Sequence, residues 1–140
     1  MIDQRGRSDV MSNRDSRIVT TNAAPMPIGP YSQGVITGDF VFCSGQIGLD
    51  PATGLIVPGG AAREADRALL NLQAVLEAAG TDLSGVFKVT IFLKNMGDFS
   101  LVNDVYEKYF GDSKPARSTV GVSALPKGAL VEIEAVARVP

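Results

Sequence analysis

Residues 129–138 read Ala-Leu-Val-Glu-Ile-Glu-Ala-Val-Ala-Arg, and their strict alternation predicts a β-strand near the end of the chain. One face of this strand carries only apolar side chains, namely Val131, Ile133, Ala135 and Ala137. The other face mixes apolar with charged side chains, and its two carboxylates are Glu132 and Glu134. A fully apolar face indicates a layer of helices, and a half-apolar face indicates that a second copy of the chain covers it.

The elements before this strand alternate between strands and helices. The patterns predict strands at 35–37 and 40–44, a helix at 61–79, a strand at 86–93, a helix from Asp98 to Gly111, and a short strand at 117–122. Gly38-Asp39 has the composition of a two-residue hairpin turn. The order β-β-α-β-α-β-β, with crossovers of one hand, places both helices on one face of a mixed sheet. We therefore predict an α+β sandwich of two layers.

The length of 140 residues fits one domain. Residues 1–20 are polar and carry four arginines against three aspartates, so we expect a disordered N-terminal tail followed by a single domain at 21–140. No run approaches the roughly 20 apolar residues of a membrane span. The absence of a targeting signal and of disulfide pairs favours a cytoplasmic protein.

Composition excludes several kinds of chemistry. The chain has no histidine and one cysteine, Cys43, so Ser/His and Cys/His catalytic pairs, an internal disulfide and a cysteine-cluster zinc site are all excluded. Cys43 lies in an apolar strand, which is typical of an inert packed thiol. The net charge of −2 argues against electrostatic capture of nucleic acid or of an anionic membrane.

Two groups of charged residues are candidates for catalysis. Arg117 follows a proline-fixed approach at the head of a strand, where a guanidinium can hold a carboxylate through two hydrogen bonds. An ordinary salt bridge at an edge strand explains the same residue. Glu132 and Glu134 point the same way and can orient a water or divide the acid and base roles, although solvated strand glutamates explain them too.

Three further positions are candidates for binding. Tyr31 follows Gly29-Pro30 in a rigid turn that presents its phenol. Gly45 follows a strand, where the lack of a side chain lets backbone groups approach a ligand. Asn103 lies beside the apolar stripe of the second helix and either faces solvent or turns toward a neighbouring site.

Several motifs together resemble one family. In chain order they are Gly29-Pro30-Tyr31-Ser32-Gln33, Ser44-Gly45-Gln46-Ile47, Val75-Leu76-Glu77-Ala78-Ala79-Gly80, Pro115-Ala116-Arg117-Ser118, Leu125-Pro126-Lys127 and Val131-Glu132-Ile133-Glu134-Ala135. The set resembles the RidA (YjgF) family of enamine and imine deaminases, over about residues 20–139. The resemblance implies a chorismate-mutase-like fold and a homotrimer with sites between subunits. It also implies hydrolysis of 2-imino acids, such as 2-iminopropanoate and 2-iminobutanoate, to 2-oxo acids and ammonia without a cofactor or metal.

The resemblance also assigns roles to residues. It implies that Arg117 clamps the substrate carboxylate and that Glu132 positions the attacking water. Tyr31 matches the tyrosine of the site, Gly45 the backbone contact after the second strand, and Asn103 the asparagine near the pocket.

Two departures from the family pattern concern the pocket. Many members carry a cysteine where this chain has Thr119, so Thr119 is expected to line the pocket and a thiol-dependent side activity is in doubt. The connection at 111–114 is shorter than in typical members, which changes the expected rim of the pocket.

Two other functions remain open from the sequence. The trimer could bind small 2-oxo acids through Arg117 as a sensor, without turnover. It could also be a ribonuclease, as some relatives of the family have been labelled. The sequence pI near 5.0 and the lack of a basic patch interleaved with aromatic residues argue against RNA as a substrate.

Overall fold

A computed structural model describes residues 16–140, which form a six-stranded sheet and two long helices. The strands are β1 (Ser16–Val19), β2 (Gly34–Thr37), β3 (Phe40–Ile47), β4 (Val86–Leu93), β5 (Ala116–Gly121) and β6 (Val131–Arg138), and the helices are α1 (Gly60–Ala78) and α2 (Phe99–Phe110). Helix α1 packs against β3 and β6, and α2 packs against α1. The predicted two-layer α+β architecture is confirmed.

The sheet is mixed, as predicted, with the strand order β1-β2-β3-β6-β4-β5. Strands β4 and β5 are parallel, and every other neighbouring pair is antiparallel. Thr37 pairs directly with Phe40, so the hairpin turn at Gly38-Asp39 is confirmed. Gly38 has a φ of 57°, a left-handed conformation that glycine adopts without a steric penalty.

Strand β1 lies within the segment that the sequence assigned to the tail. It pairs antiparallel with β2 along its whole length, and the side chain of Val19 is buried. The sheet therefore begins before residue 20, because an edge strand of four residues is defined by its neighbour rather than by its own pattern. The expectation for residues 1–15 lies outside the described residues.

Helix α1 supplies the centre of the core. Its buried residues are Ala61, Glu64, Ala65, Ala68, Leu69, Asn71, Leu72, Val75 and Leu76. Each fully buried leucine contributes about 1.5–3 kcal/mol of hydrophobic stabilisation. Gly80 ends the helix as predicted, with a φ of 91° and a hydrogen bond from its N–H to the carbonyl of Glu77.

One predicted strand face is wrong at its first residues. Strict alternation along residues 86–93 puts Phe87 on the same face as Val89, Ile91 and Leu93, and Val86 on the opposite face. The structure instead has a β-bulge there, because Val86 pairs with Ala137 while Lys88 pairs with Val136. The extra residue reverses the pattern, so Val86 is 4% exposed and Phe87 is 42% exposed.

The sheet face opposite the helices (the outer face) carries a row of apolar side chains. Ile18, Val35, Phe42 and Val136 stand in register across four neighbouring strands. Ile18 is 72% exposed, and Phe42 and Val120 are exposed as well. This matches the predicted half-apolar face and leaves a contiguous apolar row open in a single chain. None of the helices formed by residues 16–140 combines the length and apolarity that crossing a membrane requires.

Candidate functional site

Three of the predicted site residues lie around one cavity. Tyr31, Gly45 and Glu132 line a cavity of about 340 Å³. The rest of its lining is Pro25, Met26, Ile28, Gln33, Ser44, Gln46, Ile47, Leu49, Pro126 and Lys127. This wall is mostly apolar, which suits a small ligand with a hydrocarbon side chain.

The turn at Gly29-Pro30 presents Tyr31 to this cavity. The N–H of Tyr31 donates to the carbonyl of Gly29 at 2.9 Å, which closes a three-residue turn. The Ser44 hydroxyl donates to the carbonyl of Ser32 at 2.6 Å and ties the turn to β3. Tyr31 remains 54% exposed, so its phenol is available to a ligand or to a second chain.

Glu132 and Gly45 meet where the pairing of β3 and β6 is irregular. Cys43 pairs with Ala135 and Gln46 with Ile133, so β3 carries one extra residue at Ser44-Gly45. The Glu132 carboxyl group packs directly on Gly45, and a β-carbon at position 45 would lie 2.7 Å from Glu132 Cδ. Glycine is therefore required here to leave room for the carboxylate.

The environment of Glu132 favours its protonated form. Partial burial raises the pKa of the Glu132 carboxyl group, and the negative charge of Glu134 on the same face raises this pKa further. A carboxylate with a raised pKa is a better proton acceptor than one in free solution, so Glu132 is suited to accepting a proton from water.

Arg117 lies elsewhere, beneath helix α2. Its Nη1 donates to Asn103 Oδ1 at 2.8 Å, and its guanidinium lies 4.7 Å from the ring centroid of Tyr106 and 5.6 Å from that of Phe99. Within residues 16–140 its recorded partners are thus an amide oxygen and two rings, rather than the carboxylate of a salt bridge. The guanidinium is fixed in place while donors remain available to an external carboxylate.

Thr119 and the short connection border this second group. Thr119 lies with Arg117 and Asn103 along a narrow crevice, and its buried Oγ1 has no hydrogen-bond partner among the described residues. A cleft of about 250 Å³ beside it is lined by Asn103, Arg117 and Lys114. Lys114 adopts a φ of 49° and donates its N–H to the carbonyl of Phe110 at 2.9 Å, so the short connection is a tight turn.

The two groups lie on opposite faces of the sheet. Arg117 pairs with Val89, whose side chain is buried toward the helices. Glu132 pairs with Phe92 on the outer face, and strand β4 separates β6 from β5. A single chain therefore does not bring Arg117 and Glu132 to the same small molecule.

Tyr106 is a residue of this second group that was not among the candidates from the sequence. The structure places its ring against the Arg117 guanidinium. Burial raises the pKa of the Tyr106 phenol, and the Arg117 charge opposes that shift. The available signal was its spacing of three residues from Asn103, which puts both side chains on one helix face.

Potential metal ligands and the one thiol were also located among residues 16–140. Within residues 16–140 no three acidic or cysteine side chains gather closely enough to hold a metal ion. Burial raises the pKa of the Cys43 thiol to about 12, which keeps the sulfur protonated and unreactive at neutral pH.

Comparisons with known proteins agree with this fold and these motifs. A family model described as Endoribonuclease L-PSP matches residues 21–139. A Bos taurus protein named 2-iminobutanoate/2-iminopropanoate deaminase is 52% identical over 127 residues, covering 91% of this chain and 93% of its own length.

Two solved structures are similar over most of the chain. One from Thermotoga maritima, described as a candidate endoribonuclease, has a TM-score of 0.86 at 50% identity and covers 89% of this chain and 98% of its own. The other, TdcF of E. coli with bound serine, has a TM-score of 0.84 at 41% identity and covers 89% of this chain and 99% of its own.

Proposed function

Because the chain belongs to the Endoribonuclease L-PSP family, which is the YjgF/RidA family, we propose that it hydrolyses 2-imino acids to 2-oxo acids and ammonia. The substrates are small imines of the 2-iminopropanoate and 2-iminobutanoate class. The observation that carries the proposal is Arg117, a buttressed guanidinium whose described partners leave it free to bind a carboxylate. The name of the Bos taurus relative supports the same chemistry.

The proposed mechanism divides the work between two charged groups. Arg117 binds the substrate carboxylate, with Asn103 holding the guanidinium in orientation, so the imine carbon is presented in one direction. Glu132 accepts a proton from a water as the oxygen attacks that carbon, and it delivers this proton to the imine nitrogen. In the resulting carbinolamine Glu132 moves the hydroxyl proton to the amino nitrogen, so the C=O bond forms as the C–N bond breaks and ammonia leaves. Tyr31 and Thr119 line the pocket.

The proposed site lies between two copies of the chain. Arg117 of one subunit reaches the cavity that holds Tyr31, Gly45 and Glu132 of the next. The placement of the two groups on opposite faces of the sheet supports this arrangement. The exposed apolar row on the outer face supports a second copy as its cover, and we propose a closed homotrimer with three such sites.

RNA cleavage is the second candidate, because the family description and the Thermotoga maritima structure both name an endoribonuclease. The mostly apolar lining of the cavity and the net charge of −2 favour a small acid over a polyanion.

The decisive experiment generates 2-imino acids with an amino-acid oxidase and follows their loss with and without the protein. We expect the wild type to accelerate hydrolysis and Glu132→Gln to abolish the acceleration. Tight 2-oxo acid binding without turnover would instead identify a sensor. RNA cleavage that persists in the Arg117→Ala/Glu132→Gln double variant, in preparations free of contaminating nuclease, would revive the ribonuclease.

A further inference from the structure

Gln33 is a buried polar residue to which the proposed mechanism gives no role. It lies directly before β2, is 2% exposed and borders the cavity that holds Tyr31 and Glu132. A buried amide group loses its hydration, so it persists only where the protein supplies hydrogen-bond partners.

The amide of Gln33 is saturated by one distant segment. Its Oε1 accepts from the N–H of Thr21 at 2.7 Å. Its Nε2 donates to the carbonyls of Thr21 at 3.0 Å and Pro25 at 2.8 Å, with the Ala24 carbonyl at 3.3 Å. A single side chain therefore binds the 21–25 segment as a neighbouring strand would, although that segment belongs to no helix or strand.

The segment held in this way continues into the wall of the cavity. Pro25, Met26 and Ile28 form an apolar part of the lining. Met26 and Ile28 are exposed and have little packing of their own to fix them. The hydrogen bonds of Gln33 to 21–25, together with the buried side chain of Ala24, thus hold the start of this wall in place.

We propose that Gln33 is a positioning residue that sets the selectivity of the cavity for the substrate side chain. It fixes the apolar wall of Pro25, Met26 and Ile28, against which the hydrocarbon chain of the 2-imino acid packs. The inference rests on the proposed imine hydrolysis and identifies the part of the site that contacts the side chain of the substrate. Gln33 is 2% exposed and its amide groups are engaged by the 21–25 segment, so it acts through the wall, and the effect belongs to KM and to selectivity rather than to the chemical step.

The test compares Gln33→Leu and Gln33→Glu with wild type on 2-iminopropanoate and 2-iminobutanoate, which differ by one methylene group. One methylene in a fitted apolar pocket is worth about 10-fold or more in kcat/KM. We expect both variants to move the kcat/KM ratio of the two substrates toward one and to raise KM about 10-fold, with kcat within about 3-fold of wild type.

Gln33→Glu adds a pH signature that a general loss of stability does not produce. Its carboxylate still accepts from the N–H of Thr21 but faces the carbonyls of Thr21 and Pro25 without a proton to donate. Protonation restores one donor, so the KM defect relative to wild type should shrink as the pH falls. Gln33→Leu should show the same defect at every pH.

Two further variants keep the test decisive if the Gln33 variants do not fold. Met26→Ala shortens the exposed wall directly and should reduce the selectivity for 2-iminobutanoate with wild-type stability. Gln73→Leu is the matched control, since the Gln73 amide donates to the Glu77 carboxylate on the surface of α1, at 3.2 Å.

Selectivity and KM unchanged in Met26→Ala, or in folded Gln33→Leu, would overturn the inference while leaving the proposed function intact. A wild-type protein that does not accelerate imine loss would overturn the proposed function itself.

Discussion

The Glu132 carboxyl group rests on the backbone of Gly45, so closely that a β-carbon at position 45 would fall 2.7 Å from Glu132 Cδ. The bulge in β3 creates this contact by adding one residue opposite β6. Gly45 therefore determines the position of the Glu132 carboxylate. This role is separate from any contact between the Gly45 backbone and a ligand.

Gly45→Ala should displace Glu132 and lower kcat for imine hydrolysis about 100-fold, because a misplacement near 1 Å costs that much. The measurement is steady-state kinetics on protein whose circular dichroism matches wild type. Gly97→Ala is the matched control, since a β-carbon at Gly97 meets no atom within 4 Å. Equal activity of the two variants would contradict the role given to the contact.

The acid limb of the pH profile should report on Glu132. The pKa of Glu132 is raised, so Glu132 is protonated at a higher pH than an ordinary glutamate. On acidification, kcat/KM should therefore begin to fall at that higher pH. Glu134→Gln removes the second cause of the shift and should move the limb to lower pH. Comparing the two proteins at each pH cancels the effect of pH on the imine itself, and an unmoved limb would mean that Glu132 does not control it.

Glu132→Gln should separate stability from activity. The folded protein holds the Glu132 proton more tightly than the unfolded chain does, so this group stabilises the fold most at low pH and loses that contribution as the pH rises through its folded pKa. The neutral variant should accordingly melt higher than wild type at pH 7, with the difference disappearing in acid, while its hydrolysis is lost. A lower Tm at pH 7, measured by calorimetry, would contradict the burial argument.

Arg117→Lys should be nearly as damaging as Arg117→Ala. Lysine keeps the charge but loses the planar fork that bonds Asn103 on one side and leaves donors for a carboxylate. We expect kcat/KM to fall by about 100-fold or more in the folded variant. Activity within a few-fold of wild type would show that the charge suffices and that the clamp is wrong.

Mixing two inactive variants should restore activity if the site spans two subunits. Arg117→Ala retains Glu132, and Glu132→Gln retains Arg117, so refolding them together creates interfaces with both intact groups. Random head-to-tail mixing makes about a quarter of the interfaces complete. Activity of the refolded mixture is compared with each variant refolded alone, and light scattering should give about three times the 14.7 kDa chain mass. A mixture as inactive as its components would place each site within one chain.

The fold was largely predictable because the alternation of side chains along the central strand β6 distinguishes its helix-facing side from its outer side. The alternation along β6 identified the helix-facing side chains and the outer face, and the turn at Gly38-Asp39 fixed the hairpin register. Strand β1 was missed because its pairing with β2, rather than its composition, makes it a strand. The bulge at Phe87 was missed because one inserted residue leaves no mark in a local pattern.

The sequence offered candidate site residues but not their arrangement. The motifs singled out Arg117 and Glu132, yet their placement on opposite faces follows from the pairing of their strands with β4, which no single motif encodes. The same holds for Gln33, whose partners lie 8 to 12 residues away and become visible only when the chain is folded.

The apolar row of Ile18, Val35, Phe42 and Val136 also bears on how the protein responds to dilution. In the proposed assembly, covering this row contributes to the folding free energy, so part of each subunit's stability depends on protein concentration. The melting temperature should then rise with concentration. Because the row is uncharged, added salt should have little weakening effect on the association of the subunits.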